Sequence, residues 1–189
     1  MNPTLDTIKA AYEKLGYPWH PILNIGGIRA SISNTNAFDD LIFYCLRLPT
    51  GEWEFKAYEA TTDPGFAKHG NSVPEGTASM KAGFYPKLYS FGFHQGKKDH
   101  PCFKQTGKAE FYRKKGPKLF DSTTLFIGII GANIHSTREG FIPEDVDNFS
   151  KGCQVVRRWA SMGKLLAAGE ASLLKFFDYA LLQEKELEV

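Results

Sequence analysis

The chain has 189 residues, 23 Lys+Arg against 21 Asp+Glu and a formal net charge of +2, with 42% hydrophobic and 23% charged residues. That composition belongs to a globular protein able to bury one full core, and it excludes the disordered and fibrous classes. The near balance of charge makes no global case for nucleic acid, and the longest apolar run, Leu125 to Ala132, is far too short to span a membrane.

Met1 to Trp19 carry neither a basic n-region nor an apolar h-region, so no Sec signal peptide is expected. The same stretch predicts a helix: Thr4 is a suitable N-cap, Leu5, Ile8, Tyr12 and Leu15 form one apolar stripe, and Gly16 followed by Pro18 stops it. From Asn24 to about Phe126 the pattern turns to strands. Asp40 to Leu48 is strongly strand-forming, Pro49-Thr-Gly51 supplies a turn, and Glu52 to Tyr58 alternates as a half-buried strand does, so the pair predicts a hairpin. Thr61 to Gly76 reads as a long loop lining something. Short strands follow over Gly83 to Phe93, Cys102 to Gln105 and Ala109 to Arg113. Leu125 to Ile134, nearly all apolar, predicts a strand buried on both faces. After Cys153 the spacing of Leu166, Leu173, Phe177 and Leu181 predicts a helix, which Gly169 weakens by ~1 kcal/mol relative to Ala.

Cys45, Cys102 and Cys153 cannot make a complete disulfide framework, which points to synthesis in a reducing compartment and leaves a thiol for chemistry. Cys45, inside a hydrophobic strand, reads as core, and Cys102 as core or edge without a role. Cys153 stands apart. His135 lies where the apolar Leu125–Ile134 run emerges, a polar loop with Gly140 and Pro143 follows, and Ser150-Lys-Gly-Cys153 leads into the β-branched pair Val155-Val156. A strand–loop–strand of that length can return Cys153 beside His135, where an imidazole can take the thiol proton. Gly152 would let a substrate backbone approach, and the amides of Gly152 and Cys153 could donate to a developing oxyanion.

These residues, with Cys153 eighteen positions after His135, resemble the catalytic signature of the L,D-transpeptidases: a histidine, a loop, then Ser-x-Gly-Cys before a hydrophobic strand. The resemblance covers about Ile127 to Val156 and more loosely the preceding β region. Ala60 to Gly65 and Gly92 to Gly96 further resemble phage-type relatives. The element pattern itself gives one mostly-β (α+β) domain over 1–189, with an N-terminal helix and lead-in over 1–23, a β core over 24–160 and a C-terminal helix over 161–189, and both helices lie outside the resemblance. For the core the resemblance implies an L,D-transpeptidase-like, catalytic β-sandwich. It also implies a cysteine peptidase or acyltransferase acting on peptidoglycan stem peptides through an acyl-enzyme, with no metal and no cofactor. Cys153 would be nucleophile and His135 base, Ser136 would lend its carbonyl to orient the ring, Ser150 would support the loop, and Gly152 would help form the oxyanion site. The family's glycine after the histidine, histidine before Gly-Cys and arginine two positions after the cysteine are here Ser136, Lys151 and Val155, with Arg157 and Arg158 the nearest arginines. Lys151, His94, Arg29 and Arg157 are the candidate substrate contacts.

Expected partners are peptidoglycan or muropeptides, without nucleic acid or membrane insertion. Without a Sec signal, a phage lysis enzyme released by a holin, a virion component or non-Sec export would bring it to the wall, and hydrolysis is favoured over transfer. Two rivals stay open: a cysteine hydrolase or acyltransferase with another small substrate, and a catalytically silent binding or virion-structural module in which Cys153 is only a small buried hydrophobe. A zinc site from Asp99, His100 and Cys102 with His69 lacks a second ligand pair at metal-like spacing. Ser161-Met-Gly-Lys164 matches Ser-x-x-Lys without its companion motifs. The lysines at 97, 98, 104, 108, 114, 115 and 118, interleaved with Phe103, Phe111, Tyr112 and Phe120, read as guards of β edges before they read as a single-strand or cell-wall polymer surface.

Overall fold

The computed structural model describes residues 1–32, 36–65, 77–114 and 121–188. Helix α1, Leu5–Leu15, begins where the Thr7 amide donates to Thr4 Oγ1 and the Thr4 amide donates back to Thr7 Oγ1, and it ends at Gly16 in the left-handed region. Ile8, Ala11 and Tyr12 on its apolar stripe pack with Ile28, Phe43, Cys45, Ala180 and Leu182.

Eight strands close into a ring. β1 (Leu23–Arg29) pairs antiparallel with β2 (Asp40–Arg47), and β2 with β3 (Trp53–Thr61) around the expected turn. β5 (Gly83–Phe93) and β6 (Pro101–Gln105) form a second antiparallel pair. β9 (Ile134–Ser136) and β10 (Gln154–Val156) run parallel, and β11 (Phe177–Gln183) lies parallel to β1 and antiparallel to β5. The order around the ring is β1-β11-β5-β6-β9-β10-β3-β2, a closed barrel. Beside it β4 (Thr77–Met80), β7 (Ala109–Lys114) and β8 (Asp121–Gly128) make a three-stranded sheet. Helix α2 (Trp159–Ala171) buries Met162, Leu165 and Ala168 in the larger core with Phe103, Ile134, Val156 and Phe177. Close approach is built into the sequence at Gly26, where a Cβ would stand 2.6 Å from the Ala180 carbonyl oxygen and inside the Phe43 ring.

The mostly-β expectation with two helices therefore holds, and the hairpin and the β5 limits fall where the sequence puts them. Two expectations are corrected. The C-terminal helix ends at Ala171, and Phe177–Gln183 is a barrel strand. Phe177, Tyr179 and Leu181 fill one core while Ala180 and Leu182 fill the other, so the run is apolar on both faces and has no helical face to present. Leu173, assigned to that face, is 92% exposed at a positive φ in the connecting turn. Likewise Leu125–Ile134 is not one buried strand. β8 stops at Gly128 on the edge of the small sheet, Ile127 and Ile129 are exposed, and pairing resumes only at Ile134. Of the Thr61–Gly76 loop, 66–76 lie outside the described residues, as do His69, Lys115, Lys118 and Phe120. Phe103 and Phe111 are fully buried, so neither can stack on a base.

A buried polar knot joins barrel and sheet. Arg29 Nε donates to Thr62 Oγ1 at 3.0 Å, its two terminal nitrogens donate to the Met80 and Thr62 carbonyls at 2.9 Å, and one of them lies 3.2 Å from Asp63 Oδ1. Ser79 Oγ donates to the same Asp63 oxygen, and Asp40 accepts from the Ala30 amide and from both the amide and hydroxyl of Thr62. Arg29 is thus no substrate contact: its guanidinium is committed to an internal carboxylate and two carbonyls. Arg29→Met leaves Asp63 buried without that cation, and a loss of roughly 3–5 kcal/mol is expected in chemical denaturation. A loss below about 1 kcal/mol would contradict the role assigned to the knot.

Candidate active site

The parallel β9–β10 pair sets Ile134, His135 and Ser136 opposite Gln154, Val155 and Val156. Cys153 therefore comes back alongside Asn133, and the Gln154 amide bonds the Asn133 carbonyl at 2.9 Å. The loop before the thiol is pinned. Ser150 Oγ donates to the Cys153 carbonyl at 2.7 Å and accepts the Gly152 amide at 3.2 Å, while the Ser150 and Lys151 carbonyls accept the amides of Gly65 and Ala78. Gly152 has φ +150°, and a Cβ there would sit 3.2 Å from Ala78 Cβ, so the motif glycine is needed by both conformation and packing. Its amide serves Ser150, which leaves the Cys153 amide as the loop's donor for an oxyanion.

His135 is buried. Its Nδ1 stands 2.7 Å from the Ser136 carbonyl oxygen, which can only accept, so Nδ1 carries the proton and Nε2 the lone pair. That Nε2 is enclosed and makes no hydrogen bond. The Ser136 carbonyl also accepts from His100 Nε2 at 3.0 Å. His94 stacks on His135 with ring centroids 3.9 Å apart and 23° between planes. Asn133 sets the tautomer of His94: its Oδ1 accepts the Gln105 amide at 2.8 Å, so its Nδ2 faces His94 Nδ1, at 3.3 Å. Cys153 Sγ donates to the Gly131 carbonyl at 3.4 Å, and a ligating atom from each of His94, His135 and Cys153 lies within 4.8 Å of the other two. Cys153, His94, Gly131 and Asn133, with Lys104 and Lys151, line a cavity of about 590 Å³.

Burial sets the protonation states. It pushes His135 down to about 3, helped by His94, while the Ser136 and Phe149 carbonyls offset only part of that. Burial, then His100 and Lys97, lowers His94 to about 4. Burial raises the Cys153 thiol to about 11, against the opposing pull of the Asn133 amide. At neutral pH the three groups are thus a thiol and two neutral imidazoles.

Comparison with known protein families, curated proteins and solved structures finds no match for the chain. The site is therefore read from its own geometry. Cys153, His135, Ser136, Ser150 and Gly152 come together as the sequence expects, except that the Gly152 amide is committed to Ser150 Oγ and not to an oxyanion, and His94 and Lys151 reach the cavity. Arg157 does not: its Nε donates to the Pro143 carbonyl at 2.9 Å and its guanidinium lies 3.6 Å from Glu59, away from the cavity lining. Cys45 and Cys102 are fully buried core residues. Lys164 of the Ser-x-x-Lys pair lines a different cleft, with Tyr44 and Glu54. Sequence reasoning missed His100 as an orienting group, and Asn133 and Gln105 altogether. Asn133 carried a faint signal, being a polar residue two positions before the histidine in an apolar run.

The lowered histidines tie stability to pH with a definite sign. A histidine depressed on folding contributes stability that is present above its unfolded value near 6.5 and is lost as pH falls toward the folded value. Asp40, raised to about 6 by burial, acts in the opposite sense over part of that range. Comparing wild type with the His94→Gln/His135→Gln double variant cancels the Asp40 contribution. Between about pH 6.5 and 4 the wild type is expected to lose stability more steeply than the variant, measured by denaturant midpoints. Parallel curves would contradict two neutral imidazoles, one buried and one half-buried.

Proposed function

We propose that the protein is a cysteine-dependent acyl enzyme of L,D-transpeptidase type, with a divergent form of that family's β-sandwich, acting on peptidoglycan stem peptides. The observation that carries this reading is the β9–β10 pairing, which sets a thiol at a cavity wall with a His135 nitrogen within 4.8 Å and a tautomer fixed for accepting a proton. Lys104 and Lys151 at the cavity suit a substrate carrying carboxylates.

With substrate bound, Cys153 Sγ attacks the peptide carbonyl carbon as His135 Nε2 takes its proton, and the carbonyl electron pair moves onto oxygen, opposite the Cys153 amide. Collapse expels the amine, which leaves with the proton from the His135 imidazolium, and a thioester remains on Cys153. Water, deprotonated by His135, then attacks the thioester carbonyl and restores the thiol with release of the carboxylic acid. An amine in place of water gives the exchanged peptide. Since the uncharged pair is the stable one at neutral pH, proton transfer accompanies attack and no thiolate–imidazolium pair stands waiting.

The silent-module reading draws support from two facts: the sulfur hydrogen-bonds Gly131 rather than His135, and burial holds its proton firmly. No helix among the described residues is long and apolar enough to cross a membrane. Delivery to the wall through a holin, within a virion or by non-Sec export belongs to the same proposal.

Mass spectrometry of purified muropeptides incubated with wild type, Cys153→Ala and His135→Ala separates the readings. A cleaved or exchanged product is expected with wild type, none with Cys153→Ala, and a rate reduced by roughly 10²–10⁴-fold with His135→Ala. No product with any of the three, together with a Cys153 inert to iodoacetamide in the folded protein, would contradict the enzyme and favour the module.

A further inference from the structure

The geometry points to a second use of the same cluster: we propose that Cys153, His135 and His94 bind one thiophilic divalent cation, Zn²⁺ by its chemistry, with the fourth position open to the cavity. One thiol and two imidazoles, without a carboxylate, are the donor set that selects zinc over calcium or magnesium. Three donors with one position left for water or substrate is the open arrangement of a zinc ion that meets ligands, in contrast to the four-donor structural site.

Distances allow it. An ion centred among atoms at most 4.8 Å apart lies no more than roughly 2.8 Å from each, so contraction by roughly 0.5 Å at sulfur and roughly 0.8 Å at the nitrogens brings Zn–S and Zn–N bonds to normal length. The donors come from three separate segments: β9, the loop before β10, and the single 3-10 turn His94–Gly96 that follows β5.

Independent support comes from the hydrogen bonds. His135 Nε2 is a fully enclosed lone pair with nothing to accept, whereas buried polar atoms in folded proteins normally find partners. A cation satisfies it. On the far side of the same ring, Nδ1–H to the Ser136 carbonyl is the outer contact that orients metal-bound histidines. Asn133 leaves Nδ1 as the unprotonated nitrogen of His94, so that nitrogen is the ligand, and only a 3.3 Å contact is given up. His94 is half-buried on its short turn, and binding requires its ring to turn out of the stack on His135 until both lone pairs converge. Binding releases the Cys153 proton to solvent and forms the thiolate–metal bond. In the enzyme proposed above, the ion would occupy both the nucleophile and the base, and so hold the chemistry off until it is removed. That consequence rests on the functional proposal. Binding itself does not.

Titration of the full chain with Co²⁺, followed by Zn²⁺ displacement, tests it. The expected result is one Co²⁺ per chain with a thiolate-to-cobalt charge-transfer band and tetrahedral d–d spectrum, both removed by Zn²⁺. Cys153→Ser is expected to abolish the band. His94→Gln, at a half-buried position, is expected to weaken binding by at least about tenfold, the least that loss even of a supporting contact costs, with the fold checked by its denaturant midpoint. Absence of the band in wild type, or an affinity unchanged in His94→Gln, would overturn the site. A band on titration with no muropeptide turnover by the metal-free chain would leave the ion site standing and remove the enzyme, while turnover by the metal-free chain with no band on titration would do the reverse.

Discussion

Closure of the barrel runs through its shortest strands. β9 and β10 have three residues each, and β9 meets β6 at a single paired position, Phe103 with Ile134. So few ladder bonds cannot hold a ring of eight strands by themselves. Two side-chain amides make up the deficit. Gln105 Oε1 accepts the amides of Ile130 and Ala132, its Nε2 donates to the carbonyls of Gly107 and Gly128, and Asn133 Oδ1 accepts the Gln105 amide. The irregular chain from Gly128 to Asn133 is thereby stitched to β6. Its Gly131 carbonyl is left facing Cys153.

The place where the ring is joined is also the place where the candidate chemistry sits. His135 is the middle residue of β9, and Cys153 immediately precedes β10, so any rearrangement of the seam moves base and thiol together. The Arg29–Asp63–Thr62 knot steadies the other side of the same loop, because Gly65, two residues past Asp63, donates to the Ser150 carbonyl. Burying this much polar structure has an electrostatic consequence. A thiol pushed up and imidazoles pushed down make the uncharged pair the stable one. The same uncharged, lone-pair-bearing state lets the cluster meet either an electrophilic carbonyl or a soft cation.

Much of this was legible in the sequence where the information is local. The β2–β3 hairpin shows alternation and a Pro-Thr-Gly turn, and the His135–Cys153 arrangement is one strand–loop–strand read within a single segment. What failed was periodicity where both faces are covered. Within Phe177–Gln183, Tyr179 to Leu182 are consecutively apolar, and the spacing of Phe177 and Leu181 from Leu173 imitates a helical stripe that burial in two cores explains better. The apolar Leu125–Ile134 run hid the break after Gly128, since an edge strand that keeps exposed Ile127 looks in sequence like a buried one. Arg29 was misjudged because its partner lies 34 positions away in Asp63, and nothing local distinguishes an internal guanidinium from a substrate clamp. His100 and Gln105 reach the site only through the β5–β6 pairing and the single contact to β9, which leave no motif.

The most direct test of the account is nitrogen-15 NMR of the histidine rings in the folded protein as pH is lowered. His135 is expected to remain neutral with its proton on Nδ1 down to below about pH 5, as its depression to about 3 requires, and His94 to remain neutral with its proton on Nε2 until about pH 4. An imidazolium at His135 titrating near its ordinary value of 6.5, or a neutral ring protonated on Nε2, would contradict the arrangement on which both the acyl chemistry and the cation site depend.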